Sequence, residues 1–244
     1  MQNSDKNRFN LSAELSNETK IAQYLDLNHL IKLLKSNMYF IRKKNKFEDI
    51  QERTLQIKQI FDIQEVGDNV ISRKQPKTEM AGFGKNERYK LLSAKIYASC
   101  WTEQIQENIL MWKNYTHKNG ACIKSKISNF IAAFDNKYFS NYTVYCCRIC
   151  YDNFIKNYSS FECNFVKRLC YSDEKEIRFL FCPNGEITES NLEAIYIPVY
   201  PEIMIEEIIL SPYIGMKRAK YLQRILSTRF NIKVSLSKIE LTLN

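Results

Sequence analysis

The chain has 244 residues and a mass of 28.9 kDa, with 45% hydrophobic and 26% charged residues. That is one large domain or two small ones, long enough to build its own core, so folding requires neither a disulfide framework nor a metal. Six glycines and five prolines exclude collagen-like or linker-like stretches, and 36 basic against 27 acidic residues give a formal charge of +9, which favours an anionic partner.

In chain order, residues 1–15 are polar and aperiodic, and read as a disordered tail; residues 16–244 read as a single domain. Leu27, Leu30, Ile31 and Leu34 recur at helical spacing behind Asp26, a suitable N-cap, so a helix is expected over 27–35. His29 falls opposite its apolar stripe. Asn37 ends the helix, and Met38 to Ile41 reads as a strand. Residues 47–62 read as a second helix. Gly67, Pro76, Gly82 and Gly84 then mark 63–90 as a long loop excursion.

A strand over 95–101 runs into a helix expected from Glu103 to Thr116, capped by Thr102, with Ile105, Ile109 and Trp112 on one stripe and Tyr115 a turn beyond Trp112. Gly120 breaks it. Further strands are expected over 121–124, 143–150, 177–182, 196–199, 207–210 and 233–236, with helices over 127–134 and 216–228. Helices gather early and strands late, so the fold class is α+β, a single domain with a mixed β-sheet and flanking helices.

All eight cysteines lie between Cys100 and Cys182. No secretory h-region follows the polar start, and no run approaches the 18 apolar residues of a membrane span. The chain therefore reads as cytoplasmic, without a membrane partner, and its thiols as reduced. Cys147 and Cys150 have the spacing of a zinc half-site or redox pair, but their surroundings read as a strand and no second pair follows. No metal is expected, and the cysteines read mostly as small core residues.

Two segments are basic without an acid inside them. Residues 31–46 carry Lys32, Lys35, Arg42, Lys43, Lys44 and Lys46; residues 212–239 carry Lys217, Arg218, Lys220, Arg224, Arg229, Lys233 and Lys238. On the last helix Lys217, Lys220 and Arg224 fall within about 60° of one another, with Ala219, Leu222, Ile225 and Leu226 opposite. That stripe either contacts phosphate, on a nucleotide or nucleic acid, or is a solvated face that pairs with the acidic residues between 184 and 216.

Around 171–182 side chains alternate as on a strand. Ile177, Phe179 and Phe181 share one face, and Glu174, Glu176 and Arg178 the other. Two carboxylates and a guanidinium so placed form either an ion-pair ladder or a catalytic or ligand-binding surface.

Four stretches in order resemble the bacterial family known as domain of unknown function 2971. They are Gln23 to Leu27 with Met38 to Phe40 and Lys46 to Glu52; Ser99 to Thr102 with Leu110 to Tyr115 and Gly120 to Ile123; Lys167 to Arg178; and Glu206 to Tyr213 with the helix after it. The second is the most specific, similar to that family's Cys-Phe-Ser, Met-Trp-x-x-Tyr and Gly-x-Cys-Ile pattern. In the first, Glu48 and Ile50 depart from the family's Asn and Pro. The likeness spans about residues 21–240. A looser likeness is to ADP-ribosyltransferase-like toxins and phage-defence proteins, which open with a tyrosine-bearing strand and place a glutamate on a late strand. That resemblance implies an enzyme or toxin acting in phage defence or stress, with NAD as substrate and no other cofactor. It implies Glu176, Glu174 and Tyr115 as catalytic residues, and Tyr24, Trp112 and Arg178 as substrate-binding ones. Gln23 and Tyr24 stand where those proteins carry His or Arg. The alternative is a non-catalytic protein that binds nucleic acid or another protein through its basic segments.

Overall fold

A computed structural model describes residues 9–44, 96–116, 119–152, 162–184 and 192–240. The helix expected over 47–62 and the loop over 63–90 lie outside the described residues. In chain order the elements are β1 (Phe9–Leu11), β2 (Lys20–Asp26), α1 (Leu27–Ser36), β3 (Met38–Lys43), β4 (Tyr97–Thr102), α2 (Ile109–Thr116), β5 (Gly120–Lys126), α3 (Ile127–Ala132), α4 (Asn136–Phe139), β6 (Tyr142–Arg148) and β7 (Cys150–Tyr151). They continue with a 3-10 helix (Glu162–Phe165), β8 (Val166–Lys167), a second 3-10 helix (Leu169–Glu174), β9 (Glu176–Pro183), β10 (Ala194–Pro198), α5 (Pro201–Met204), β11 (Glu207–Leu210), α6 (Met216–Phe230) and β12 (Val234–Leu236).

Ten strands form one mixed sheet in the order β1-β6-β9-β4-β2-β5-β11-β12, with β3 joining β4 and β10 joining β3. The pairs β1–β6 and β11–β12 are parallel and the other pairs in this sheet antiparallel. The expected α+β class, a mixed sheet with flanking helices, is what the chain adopts. Among the described residues no helix is long and apolar enough to cross a membrane.

Local chemistry sets several boundaries. Asp26 caps α1 by accepting from the Asn28 N–H at 2.7 Å. The helix ends at Asn37 in the left-handed region (φ 54°), where its N–H donates to the Leu33 carbonyl. Leu27, Leu30 and Leu34 are buried, as their spacing predicts; Leu33 is buried as well, while Ile31 of the expected stripe is only half-buried. At Gly120 a Cβ would run into the Thr116 side chain and lie 2.7 Å from the Leu25 carbonyl oxygen, so β5 passes the end of α2 only because this residue has none.

Three expectations are corrected. Residues 9–11 are not disordered: they form β1, in register with Val144 to Cys146 of β6. Edge pairing by three residues leaves no hydrophobic period to read. The helix expected from Glu103 starts six residues later, at Ile109. Thr102 Oγ1 accepts from the Gln104 N–H at 3.0 Å and makes a turn, while Asn108 Oδ1 accepts from the Leu110 N–H at 2.8 Å and opens the helix. The strand expected over 143–150 breaks after Arg148, and Cys150 joins a separate two-stranded ladder with β8.

Two faces of the sheet have different covers. On one, Trp101, Phe130, Phe134, Phe179 and Phe181 pack ring against ring within the main core, together with α1, α3 and α6 residues. Ile177, Phe179 and Phe181 face this core, as their alternation predicts. The opposite face carries two smaller clusters. Met111 and Trp112 of α2 cover Ala22, Tyr24, Cys122 and Ile209. Phe165 and Tyr151 pack against Ala98, Tyr145, Cys147 and Leu180. The site lies between those two covers.

Candidate functional site

The cleft begins with a divergence of strands. β4 pairs with β9 over its whole length, but its other edge is shared. Its start pairs with β3 (Arg42↔Ala98, Lys43↔Tyr97), and its end meets β2 at one position, Ala22↔Thr102. Between them the backbone of Ser99 to Trp101 has no strand partner on that side among the described residues. A buried carbonyl left so must find another donor, and Gln23 supplies it: its Nε2 donates to the Cys100 carbonyl at 3.0 Å. Gln23 Oε1 accepts from the Tyr39 hydroxyl at 3.0 Å, Tyr39 lies 2.6 Å from Ser99 Oγ, and the Trp101 Nε1–H donates to Ser99 Oγ at 2.9 Å. The chain of donors runs one way, so it fixes both the Gln23 amide and the Ser99 hydroxyl.

Over this divergence lies a cavity of about 490 Å³, within the range of small-molecule sites. Gln23 and Tyr24 of β2, Phe40 and Arg42 of β3, the inner face of β4, Met111 and Tyr115 of α2, and Lys167, Tyr171, Glu174, Glu176 and Arg178 line it.

One wall is a charge network. Register pairs Thr102 with Glu176 and Cys100 with Arg178, which puts both charged side chains on the cavity face of β9. Arg178 is fully buried and grips Glu176 with a fork, Nε to Oε1 at 2.7 Å and Nη2 to Oε2 at 3.2 Å. Its Nη1 donates to the Asn164 carbonyl at 2.7 Å. Lys167 Nζ stands between the carboxylates, 2.7 Å from Glu174 Oε2 and 3.4 Å from Glu176 Oε2, with its ammonium 4.5 Å from the Tyr171 ring centroid. Tyr115 reaches over from the other cover, and its hydroxyl donates to Glu174 Oε1 at 2.7 Å.

Burial alone would push the Glu176 carboxyl up. The Arg178 and Lys167 charges outweigh it and hold the group down at about 2, so Glu176 is ionised although only 4% exposed. Burial pushes Tyr115 far above the ordinary phenol value, and the Glu174 carboxylate adds to the shift, so Tyr115 is a neutral hydrogen-bond donor. Burial likewise raises the Cys100 thiol well above its usual value, reinforced by the adjacent Glu176 charge. A protonated thiol so placed is no nucleophile.

Of the residues expected from sequence, the cavity gathers Tyr24, Tyr115, Glu174, Glu176 and Arg178. Glu174 belongs to the 3-10 helix before β9 rather than to the strand, and reaches the same wall through Lys167. Trp112 is placed otherwise. Fully buried, it does not line the cavity; it packs edge-on behind Tyr24 at 4.8 Å and donates its Nε1–H to Glu107 at 3.2 Å. Its neighbour Tyr24, whose hydroxyl accepts from the Asn108 N–H at 3.1 Å, holds the start of α2 against β2. Lys217, Lys220 and Arg224 are exposed on α6, with Ala219 and Leu226 buried beneath them, and none lines the cavity. Of the acidic residues before that helix, Glu207 pairs with Lys233 at 3.0 Å and with Lys124 of β5 at 3.6 Å.

Sequence reasoning gave Lys167, Gln23 and Phe40 no place in the site, and Arg42 only a place in the first basic segment. Lys167 opens the third resembling stretch, yet its partners sit seven and nine residues on, across a 3-10 helix that no periodicity marks. Among the described residues no cluster of His, Cys, Asp and Glu has the geometry of a metal site. Cys122, Cys146, Cys147 and Cys182 are free and buried, whereas Cys170 is exposed.

No family model matches the sequence, and no curated protein matches it. Among solved structures, DarT of Thermus sp. 2.9 in complex with NAD+ aligns over 91% of this chain and 97% of its own, with 11% sequence identity and a TM-score of 0.34. So slight a likeness in shape leaves the reading of the site to its own side chains.

Proposed function

We propose that the cleft binds NAD and transfers its ADP-ribosyl group to an acceptor. The observation that carries this reading is the ionised, desolvated Glu176 carboxylate at the wall of a cavity of nucleotide size. In this transfer the bond from ribose C1 to the nicotinamide nitrogen breaks, nicotinamide leaves with the electron pair, and positive charge develops on the sugar. A fixed anion in a water-poor site stabilises that charge far better than one in bulk water. Arg178, gripping Glu176 from behind, acts as its positioning residue: it keeps the carboxylate charged and in one orientation. Glu174 is suited to take the proton from the acceptor as the new bond to C1 forms, and Tyr115 holds that carboxylate by its hydroxyl. Tyr24 and Tyr171 offer ring surface for the nicotinamide nucleoside.

Incubation of the protein with NAD and candidate acceptors, followed by mass spectrometry, tests the reading. Nicotinamide release with a modified acceptor or free ADP-ribose is expected, with large losses in Glu174→Gln. No NAD consumption by the wild type removes the proposal.

A second reading rests on a separate observation, the exposed Lys217, Lys220 and Arg224 stripe of α6. It is suited to phosphate contact on nucleic acid. Binding through it falls steeply with salt, and the slope against log salt drops by up to about three in the triple alanine variant. Binding that ignores salt, or that the triple variant leaves intact, rules this out.

A further inference from the structure

The outer face of β3 carries more aromatic surface than a solvated strand needs. Tyr39 and Ile41 point into the core, while Phe40 and Arg42 point out. Phe40 is 42% exposed, and directly across the ladder stands Tyr196 of β10, 62% exposed, with the two rings 5.4 Å apart. On another side the His29 ring of α1 lies parallel to Phe40 within 3°, at 6.1 Å. Phe40 and Arg42 also line the cavity. The aromatic patch is thus the rim of the cleft, continued outward, with a guanidinium two residues along the same strand face.

The geometry points to Phe40 and Arg42 as a subsite for the second nucleotide half of the cavity's ligand: the distal base stacks on Phe40 beside Tyr196, and the diphosphate contacts Arg42. This deepens the NAD reading and rests on it. A dinucleotide whose reacting ribose lies by Glu176 is too long to stay on the floor, and its far half must leave by a rim. Phe40 and Arg42 offer there what such a half carries, a flat ring and an anion. A membrane or an apolar protein surface would leave Arg42 without use. Stacking makes little distinction between bases, so a dinucleotide with another purine in the distal position fits equally.

The test titrates ADP-ribose and AMP into the full chain, wild type and Phe40→Ala, Phe40→Trp and Arg42→Ala variants, alongside steady-state NAD kinetics. AMP and ADP-ribose are expected to bind the wild type. Phe40→Ala should weaken both roughly tenfold, Phe40→Trp should retain binding, and Arg42→Ala should weaken both ligands. KM for NAD should rise in the weakened variants with kcat nearly kept. The Trp variant guards against a folding defect in the alanine variant. Turnover of NAD with an unchanged KM in Phe40→Ala and Arg42→Ala overturns the subsite and spares the transferase reading. Nucleotide binding lost on Phe40→Ala, without NAD turnover by the wild type, keeps the subsite and removes the transferase. Absence of ADP-ribose binding by the wild type, or binding of single-stranded oligonucleotides alone at this rim, overturns the proposal.

Discussion

At Glu176, loss of hydration favours the protonated carboxyl, and two cations reverse the preference. Its folded-state value of about 2 lies below the ordinary 4.5, so its ionisation stabilises the fold above about 4.5, and that stabilisation disappears as the pH falls toward 2. Denaturant titrations across this window should therefore show the stability gap between wild type and Glu176→Gln shrinking as acid is added; a gap independent of pH would contradict the assignment. Arg178→Met leaves the carboxylate buried beside a single, more distant cation, and should cost about 3–5 kcal/mol in equilibrium unfolding. A loss under 1 kcal/mol would show that Lys167 alone suffices. The sequence made the pair visible, since a strand alternation puts 176 and 178 on one face. It did not reveal Lys167, because two residues of β8 carry no period of their own, and a 3-10 helix brings Glu174 round to meet them.

Among the elements, α2 is fixed by contacts just before its start and just beyond its end. Glu107 sits just before it and accepts from the Trp112 Nε1–H, the Ser237 hydroxyl and the Lys238 N–H, the last at 2.8 Å. Glu107→Ala should cost roughly 1–3 kcal/mol and speed hydrogen exchange at the Lys238 amide; unaltered exchange there would show the tail to be held otherwise. At the far end Gly120→Ala meets Thr116 and the Leu25 carbonyl, and overpacking of this kind costs about 1–3 kcal/mol. Thermal unfolding reads it directly. Elements with a strong period, such as α1 and β9, were legible from side-chain spacing. The late start of α2 was not, because Thr102 also suits an N-cap, and the ties at Tyr24 and Glu107 that set the start at Ile109 join segments distant in sequence. β1 was illegible for the opposite reason: its order comes wholly from the β6 edge it joins.

For the whole molecule, the +9 charge resolves into different tasks. Lys44 is buried, Arg42 stands at the cleft, Lys233 pairs with Glu207, and the α6 stripe faces solvent. Net charge therefore says little about the cleft itself, where Lys167 and Arg178 balance Glu174 and Glu176. The α+β class follows from the order of helical and strand patterns, but the divergence of β2 and β3 along β4, which opens the cavity, arises from pairing between segments distant in sequence. The proposed chemistry turns on one group, Glu176. The most direct measurement is the rate of nicotinamide release from NAD by Glu176→Gln relative to wild type, with folding matched by circular dichroism. A fall of about 100-fold or more is expected from removal of a preorganised charge, and equal rates would contradict the proposal that this cleft is a transferase site.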